Sequence, residues 1–226
     1  MDEPSALRQA RARMVDQQLR SREIIDPRVL EIMGRVPRHL FVPPDAASLA
    51  YSDMPLPIGH RQTISQPYIV ALMSQALELK GDEQVLEVGT GSGYQAAILA
   101  ALTRQVYSLE RLPELAERAR AVLTRLGIGN VEILVADGSA GYSEHAPYKA
   151  MVVTAAAPRP PQPLLDQLAE GGRLVIPVGG MEGQMLERWT RHQGELDVER
   201  VVPVAFVPLV GQFGWGADLR EMREEE

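Results

Sequence analysis

The sequence predicts an α/β protein: a mostly parallel, doubly wound sheet with an N-terminal helical extension and antiparallel C-terminal strands. From Gly81 onwards, short runs rich in β-branched residues alternate with helical patterns, which is typical of a parallel sheet covered by helices on both faces. A glycine-rich turn joins the first of these runs to a helix, as is common in such sheets. The 226 residues, 45% of them hydrophobic, are enough for one domain with a sizeable core.

Residues 1–80 are predicted to be mainly helical. Apolar residues recur at helical spacing between Leu7 and Leu19, and Asp26 followed by proline predicts the capped start of a second helix that Gly34 ends. The rest of this region is predicted to be a Pro-rich ordered loop over 36–60, with a short extended piece, and a third helix over 67–79.

The segment 81–180 is predicted to be the α/β core. Its strands are predicted at 84–88, 105–109, 131–135, 150–154 and 173–178. A short helix before the fifth strand is expected to end at Gly171-Gly172. Two antiparallel strands within about 184–210 should complete the sheet, so that 181–215 forms the C-terminal strand region of one structural domain. Residues 216–226 are predicted to be a frayed tail.

Charge and cysteine content exclude several function classes. The formal net charge of −7 argues against non-specific binding to nucleic acid or to a membrane surface, since both are polyanionic. The absence of cysteine excludes disulfides, thiolate nucleophiles and Cys-ligated metals, and the four histidines lack metal-ligand spacing. No signal peptide or apolar membrane span is apparent. We expect a monomeric cytoplasmic protein without a metal.

The glycine turn is the most informative local motif. It follows the first strand of the core, where glycines allow a ligand to approach the backbone and the N-terminus of the next helix offers free N–H groups. Glu110 ends the second strand, where α/β folds place a carboxylate that accepts from ribose hydroxyls. The residues predicted to bind a cofactor here are Glu87, Gly89, Thr90, Gly91, Ser92, Gly93, Glu110, Arg111, Asp137 and Gly138.

Charge distinguishes two candidate cofactors. The spacing of Gly91, Gly93 and Ala96 also satisfies a dinucleotide fingerprint, but Glu87 beside the turn would repel a pyrophosphate. S-adenosylmethionine has no phosphate and carries an ammonium and a sulfonium, which suit a nearby carboxylate. We therefore predict an S-adenosylmethionine site and a Rossmann-like methyltransferase fold, with helix capping and contact to the cofactor carboxylate as the expected roles of Ser92.

Longer motifs resemble the protein-L-isoaspartate (D-aspartate) O-methyltransferase family. The resemblance spans about Met14 to Trp215 in order and at family-like spacing. The motifs are VPRHLFVP, AYSD, PLPIGH, QTISQP, VLEVGTGSGYQAA, YSLER, ADGSAGY, VTAAAP, QLAEGGRLVIPVG and VPLVGQFGW.

The resemblance implies a protein-repair enzyme. Such enzymes esterify the free α-carboxylate of isoaspartyl and D-aspartyl residues in aged proteins, releasing S-adenosylhomocysteine; the ester then closes to a succinimide that reopens partly to aspartate. The nucleophile is ionised at neutral pH and the methyl donor is already activated, so positioning should dominate catalysis. By resemblance Ser65 is the catalytic serine, Gln62, Thr63 and Ile64 line the same site, and Val210 approaches the substrate backbone.

Two residues are open to a second interpretation. Ser65 precedes a helix that begins near Pro67, which by spacing alone favours a helix cap. Arg61 stands where the family usually has glycine; it could pair with the substrate carboxylate, or it could restrict the loop and narrow the substrate range. Lys149 and Ala136 are milder departures, replacing an acidic residue and a glycine.

Three other functions remain as alternatives. The first is a methyltransferase for RNA or a small molecule, although residues 154–158 lack the Asp/Asn-Pro-Pro-aromatic element of amine methyltransferases. The second is a non-catalytic S-adenosylmethionine-binding protein, which Arg61 would allow if it blocked the pocket. A dehydrogenase is the most distant.

Overall fold

The N-terminal region is helical, as predicted. The computed structural model describes residues 3–180 and 182–216. Helix α1 (Ser5–Met14) continues as a π-helical segment (Val15–Arg20), and α2 (Pro27–Arg35) and α3 (Pro67–Ala76) follow. The predicted cap is confirmed, because the Asp26 carboxylate accepts from Arg28 N at 2.8 Å. Helix α2 passes Gly34 by one residue before it ends.

The segment between α2 and α3 contains more regular secondary structure than its proline content predicts. It contains two 3₁₀ turns, Arg38–Leu40 and Pro44–Leu49, and then an antiparallel hairpin. The hairpin consists of β1 (Leu56–Gly59) and β2 (Gln62–Ile64). The hairpin carries the predicted acceptor-site residues directly into α3.

A seven-stranded sheet forms the core of the described part of the chain. Its strands are β3 (Gln84–Val88), β4 (Gln105–Glu110), β5 (Val131–Val135), β6 (Tyr148–Val153), β7 (Leu168–Gly180), β8 (Gly183–His192) and β9 (Glu195–Val204). The order is β5-β4-β3-β6-β7-β8-β9; the first five strands are parallel and the last two are antiparallel. The helices between them are α4 (Tyr94–Ala100), α5 (Pro113–Arg125) and α6 (Gln162–Asp166).

One predicted boundary is wrong. Gly171-Gly172 does not end the short helix, since α6 ends at Asp166 and the two glycines lie inside β7. A Cβ on Gly172 would lie 2.7 Å from the carbonyl oxygen of Ala169 and 2.8 Å from that of Tyr148. Glycine therefore permits the irregular start of the β6–β7 pairing, where the register shifts. The predicted tail begins at Gly216, and its remaining residues lie outside the described part.

The strand order locates a crevice at the carboxyl edge of the sheet. After β3 the chain moves outward to β4 and β5, then returns to β6 on the other side of β3. Ligands of doubly wound sheets bind where the strand order reverses in this way. Apolar side chains pack in two buried clusters, one of which joins the N-terminal helices to the sheet. Among the described residues, no helix has the length and apolar character needed to cross a bilayer.

Candidate functional site

A cavity of about 490 Å³ opens at the carboxyl ends of β3, β4 and β6. Its walls come from the glycine turn, the β1–β2 hairpin and the segment after β9. All five predicted acceptor-site residues line it: Gln62, Thr63, Ile64, Ser65 and Val210. Seven of the ten predicted cofactor residues also line it: Gly89, Thr90, Gly91, Ser92, Glu110, Arg111 and Gly138. The cavity thus brings together groups that lie far apart in the sequence.

Positive φ values and a hydrogen bond from Thr154 define the conformation of the glycine turn. Gly89, Gly91 and Gly93 have φ values of 96°, 53° and 84°, in the region that favours glycine. Thr154 Oγ1, at the end of β6, donates to the Gly89 carbonyl at 2.5 Å, and a Cβ on Gly89 would collide with that hydroxyl. The turn therefore lines the cavity with backbone, in a conformation that a side chain at Gly89 would disturb by displacing Thr154.

Gly93 has a packing role rather than a place in the cavity wall. It precedes α4 in a left-handed conformation, and an added Cβ would lie 3.0 Å from Ala119 Cβ of α5. Glycine at this position thus permits a close approach between the turn and α5. Ser92 lines the cavity, and its Oγ accepts from Tyr94 N at 3.3 Å, but the N-cap residue of α4 is Gly93 and no side chain caps this helix.

Glu110 is a fixed carboxylate in the cavity wall. Its two oxygens accept from Gly91 N at 2.8 Å and from Leu112 N at 2.9 Å. Burial raises the pKa of this carboxyl, and the two backbone N–H groups oppose that rise. Because each oxygen keeps a free lone pair, the carboxylate can still accept from hydroxyls of a bound ligand.

Glu87, which the sequence predicts to bind the cofactor, does not line the cavity. It is fully buried in β3, and its neighbour Val88 faces the cavity instead, since successive strand residues point to opposite faces. Burial raises the pKa of Glu87 to about 8, so the group is mainly neutral at pH 7. The carboxylate that a ligand meets directly is Glu110.

Asp137 also lies outside the cavity wall. Its carboxylate accepts from Ser139 N at 2.9 Å, from Ser139 Oγ at 2.7 Å and from Gln212 N at 2.7 Å. Partial burial opposes ionisation, but these hydrogen bonds, from Gln212 first, lower the pKa of Asp137 below its ordinary value. Asp137 thus anchors the segment that carries Val210, and its neighbour Gly138 contributes to the wall.

The interpretation of Ser65 as a helix cap is wrong. Helix α3 has Gln66 at its N-cap position, and no side chain caps it. Ser65 is half-buried and lines the cavity. Its hydroxyl is therefore not used to cap α3.

The tip of the β1–β2 hairpin explains why glycine would suit position 61. His60 and Arg61 form a two-residue turn and have φ values of 51° and 56°. Two consecutive positive φ values are typical of a type I′ turn, which favours Asn and Gly. Both residues line the mouth of the cavity, so Arg61 combines a disfavoured backbone conformation with a position at the entrance.

Sequence reasoning missed residues of the cavity wall that come from β8 and from the segment after β9. Trp215 lines the cavity and donates from Nε1 to the Ala156 carbonyl at 2.9 Å. Gln184 of β8 also lines it and is bonded in both directions to the backbone of Phe206. These contacts join segments distant in sequence, and no local pattern predicts them.

The fold and the site together define the class of protein. A mostly parallel sheet with antiparallel C-terminal strands, a glycine turn after β3 and a carboxylate at the end of β4 make this a Rossmann-like methyltransferase fold.

Comparisons with known proteins give the family. The sequence profile described as Protein-L-isoaspartate(D-aspartate) O-methyltransferase matches residues 9–214. A protein-L-isoaspartate O-methyltransferase of Methanoculleus marisnigri is 53% identical over 217 residues, covering 96% of this chain and 99% of that protein. One of Geobacter metallireducens is 56% identical over 210 residues, covering 92% and 97%. The chain belongs to the protein-L-isoaspartate (D-aspartate) O-methyltransferase family, which confirms the resemblance inferred from its motifs.

Solved structures agree with this assignment. A protein-L-isoaspartate O-methyltransferase superimposes with a TM-score of 0.81 at 26% identity, covering 95% of this chain and 69% of that one. A beta-aspartate methyltransferase from Plasmodium falciparum, in complex with S-adenosyl-L-homocysteine, superimposes with a TM-score of 0.76 at 28% identity, covering 87% and 96%.

Proposed function

We propose that this chain transfers a methyl group from S-adenosylmethionine to the free α-carboxylate of L-isoaspartyl and D-aspartyl residues in aged proteins. The observation that carries the proposal is one cavity shared by the bare glycine turn, the Glu110 carboxylate and the hydroxyl-bearing segment Gln62–Ser65. The proposed cofactor site and the proposed acceptor site therefore share one cavity. The close curated relatives carry the name of this activity.

The residues present fit the cofactor on two grounds. Because Gly89 has no Cβ to collide with the Thr154 hydroxyl, the turn keeps a conformation in which its backbone lines the cavity and can be reached by a ligand. The Glu110 carboxylate is fixed at the wall by two backbone N–H groups and can accept from ribose hydroxyls. When bound, S-adenosylmethionine supplies a methyl group on a cationic sulfur that leaves as a neutral thioether.

The chain's own contribution to the chemistry is positioning. The acceptor carboxylate is ionised at neutral pH, so the site needs no general base. The Ser65 hydroxyl, which is not used to cap α3, donates to one carboxylate oxygen and directs the other toward the methyl carbon. Thr63 and Gln62 line the same wall, and Val210 approaches the substrate backbone from the opposite side. Exclusion of water then strengthens these contacts.

The product ester gives the reaction its place in repair. A methyl ester is attacked more readily than a carboxylate, because its carbonyl carbon can lose methoxide whereas a carboxylate would have to lose oxide. The neighbouring backbone nitrogen therefore attacks that carbon and closes the succinimide, with loss of methanol. Hydrolysis of the succinimide returns part of the chain to normal aspartate. The partners are accordingly damaged proteins and peptides, and we propose that a cytoplasmic monomer acts on them, which light scattering of the purified chain tests for the oligomeric state.

One assay tests the function. The protein is incubated with methyl-labelled S-adenosylmethionine and either an isoaspartyl peptide or its twin with normal aspartate. We expect base-labile label on the isoaspartyl peptide alone. Cofactor binding without any transfer would contradict the proposal, and label on a nucleic acid or small molecule would replace the acceptor.

A further inference from the structure

A buried chain of hydrogen-bonding side chains runs beneath the glycine turn. Ser108 Oγ of β4 lies 2.5 Å from Glu87 Oε2, within hydrogen-bond distance, and also 2.5 Å from Thr90 Oγ1. Glu87 and Ser108 have no exposed surface, and Thr90 is 3% exposed. We call these three residues the hydroxyl chain. It connects a carboxyl in the sheet interior to a residue of the cavity wall.

The Glu87 carboxyl, at the inner end of the hydroxyl chain, has few neighbours that could stabilise a negative charge on it. Within the described residues, Glu87 Oε1 has no hydrogen-bond partner. The charged group that acts on Glu87 from β4 is Glu110, whose negative charge opposes ionisation of Glu87; the neighbour on β6 is Val152. Helix α4, which follows the turn, has the sequence YQAAILA and no charge. The state of Glu87 is therefore sensitive to any cation brought near it.

The hydrogen bonds of the hydroxyl chain can run in either of two donor-to-acceptor directions. When Glu87 is ionised it only accepts, so Ser108 donates to it and Thr90 must donate to Ser108. When Glu87 is protonated it can donate to Ser108, which then donates to Thr90 and leaves the hydrogen of Thr90 Oγ1 available elsewhere. The protonation state of Glu87 thus determines whether the Thr90 hydroxyl donates to Ser108 or can donate to another group.

We propose that Ser108 is a positioning residue that couples Glu87 to Thr90 and the glycine turn, so that binding of a cationic cofactor releases a proton from Glu87 to solvent. This inference rests on the proposed cofactor. The sulfonium of S-adenosylmethionine is a charge that S-adenosylhomocysteine lacks. The enzyme therefore distinguishes substrate from product through a residue that does not line the cavity.

The sign of the pH dependence follows from linkage. A bound cation lowers the pKa of Glu87 from its value in the free protein, about 8. Affinity for S-adenosylmethionine should consequently rise with pH up to about 8 and level off above it. Each unit by which the pKa falls on binding changes the affinity by up to about tenfold across that window. S-adenosylhomocysteine should show a smaller rise.

Isothermal titration calorimetry of the full chain tests this. Both ligands are titrated between about pH 6 and 9, in two buffers of different ionisation enthalpy, which reports protons released. We expect more proton release with S-adenosylmethionine, and a several-fold rise in the ratio of the two affinities. The isosteric Glu87→Gln variant should bind both ligands with a flat ratio, and it also subtracts titration of the ligands' own ammonium groups.

Variants at Ser108 test the coupling itself. Ser108→Ala should weaken binding of both ligands and remove most of the pH dependence, whereas Ser108→Thr, which keeps the hydroxyl, should restore the profile. Thr103→Ala is the matched control: it removes another buried hydroxyl, bonded to Leu99 O at 3.0 Å at the end of α4, and should leave binding unchanged. Melting curves check that each variant folds.

The outcomes are distinct. Equal proton release by the wild type and Glu87→Gln would overturn the proton linkage, and a wild-type pH profile in Ser108→Ala would overturn the role of Ser108. If Ser108→Ala does not fold, Ser108→Thr and Glu87→Gln decide between the same outcomes. Failure of S-adenosylmethionine to bind at any pH would instead overturn the proposed cofactor.

Discussion

Replacement of Arg61 by glycine should stabilise this protein. Arg61 has a φ of 56° and follows His60, whose φ is 51°. A residue with a Cβ pays about 1–2 kcal/mol in the left-handed region, whereas glycine does not. Glycine also loses more backbone entropy on folding, by about 0.5–1 kcal/mol, so the net stabilisation from the backbone is about 0.5–1 kcal/mol. For a chain of this size that raises Tm by about 1–4 °C.

Arg61→Ala is the matched control for this prediction. Alanine removes the guanidinium but keeps the Cβ and its cost at positive φ. Thermal unfolding of the three proteins should therefore place Arg61→Gly above Arg61→Ala by about 0.5–1 kcal/mol. Equal stability of the two variants, or a less stable glycine variant, would refute the argument from the turn conformation.

Activity of the same variants distinguishes the two roles left open for Arg61. If the side chain restricts the mouth of the cavity, Arg61→Gly and Arg61→Ala should both raise kcat/KM for isoaspartyl peptides. If the guanidinium pairs with the substrate carboxylate, both should raise KM, and Arg61→Lys should retain part of the affinity. Peptide methylation at several substrate concentrations separates these results.

Three further predictions concern two residues of the cavity wall and Asp137, which anchors the segment that carries Val210. Ser65→Ala should keep cofactor affinity and lose turnover; equal turnover in the methylation assay would remove Ser65 from the mechanism. Gly89→Ala should weaken cofactor binding by at least tenfold, because its Cβ would displace the Thr154 hydroxyl at a positive φ, and wild-type affinity in calorimetry would contradict this. Asp137→Ala should destabilise the protein by about 1–3 kcal/mol, since it leaves the donors of the fully buried Ser139 unpaired and also removes the bond from the exposed Gln212 N. The contribution of Asp137 is present near neutral pH and should be lost as the pH falls through its lowered pKa, so acid unfolding of wild type and variant should converge.

The sequence predicted best what depends on local pattern. The alternation of strands and helices from Gly81 onwards, and the turn that requires positive φ at Gly89, can be inferred from nearest neighbours alone. The role of Glu87 could not, because strand periodicity tells that Val88 and Glu87 face opposite sides but not which side holds the cavity. Gly171-Gly172 misled for a similar reason: the pair that typically ends a helix here accommodates close approach between β6 and β7.

Contacts between segments that are distant in sequence could not be predicted from local sequence patterns. Asp137, at the end of β5, reaches Gln212, and Trp215 reaches Ala156 after β6. These two bonds fasten the segment after β9 across the carboxyl edge of the sheet, where Val210 faces the cavity. The opposite wall, with Ser65, comes from the hairpin before α3. The proposed acceptor wall is therefore complete only when the hairpin and the segment after β9 have both packed onto the strands of the proposed cofactor site, so a partly folded chain can present the glycine turn without the proposed site for the acceptor carboxylate.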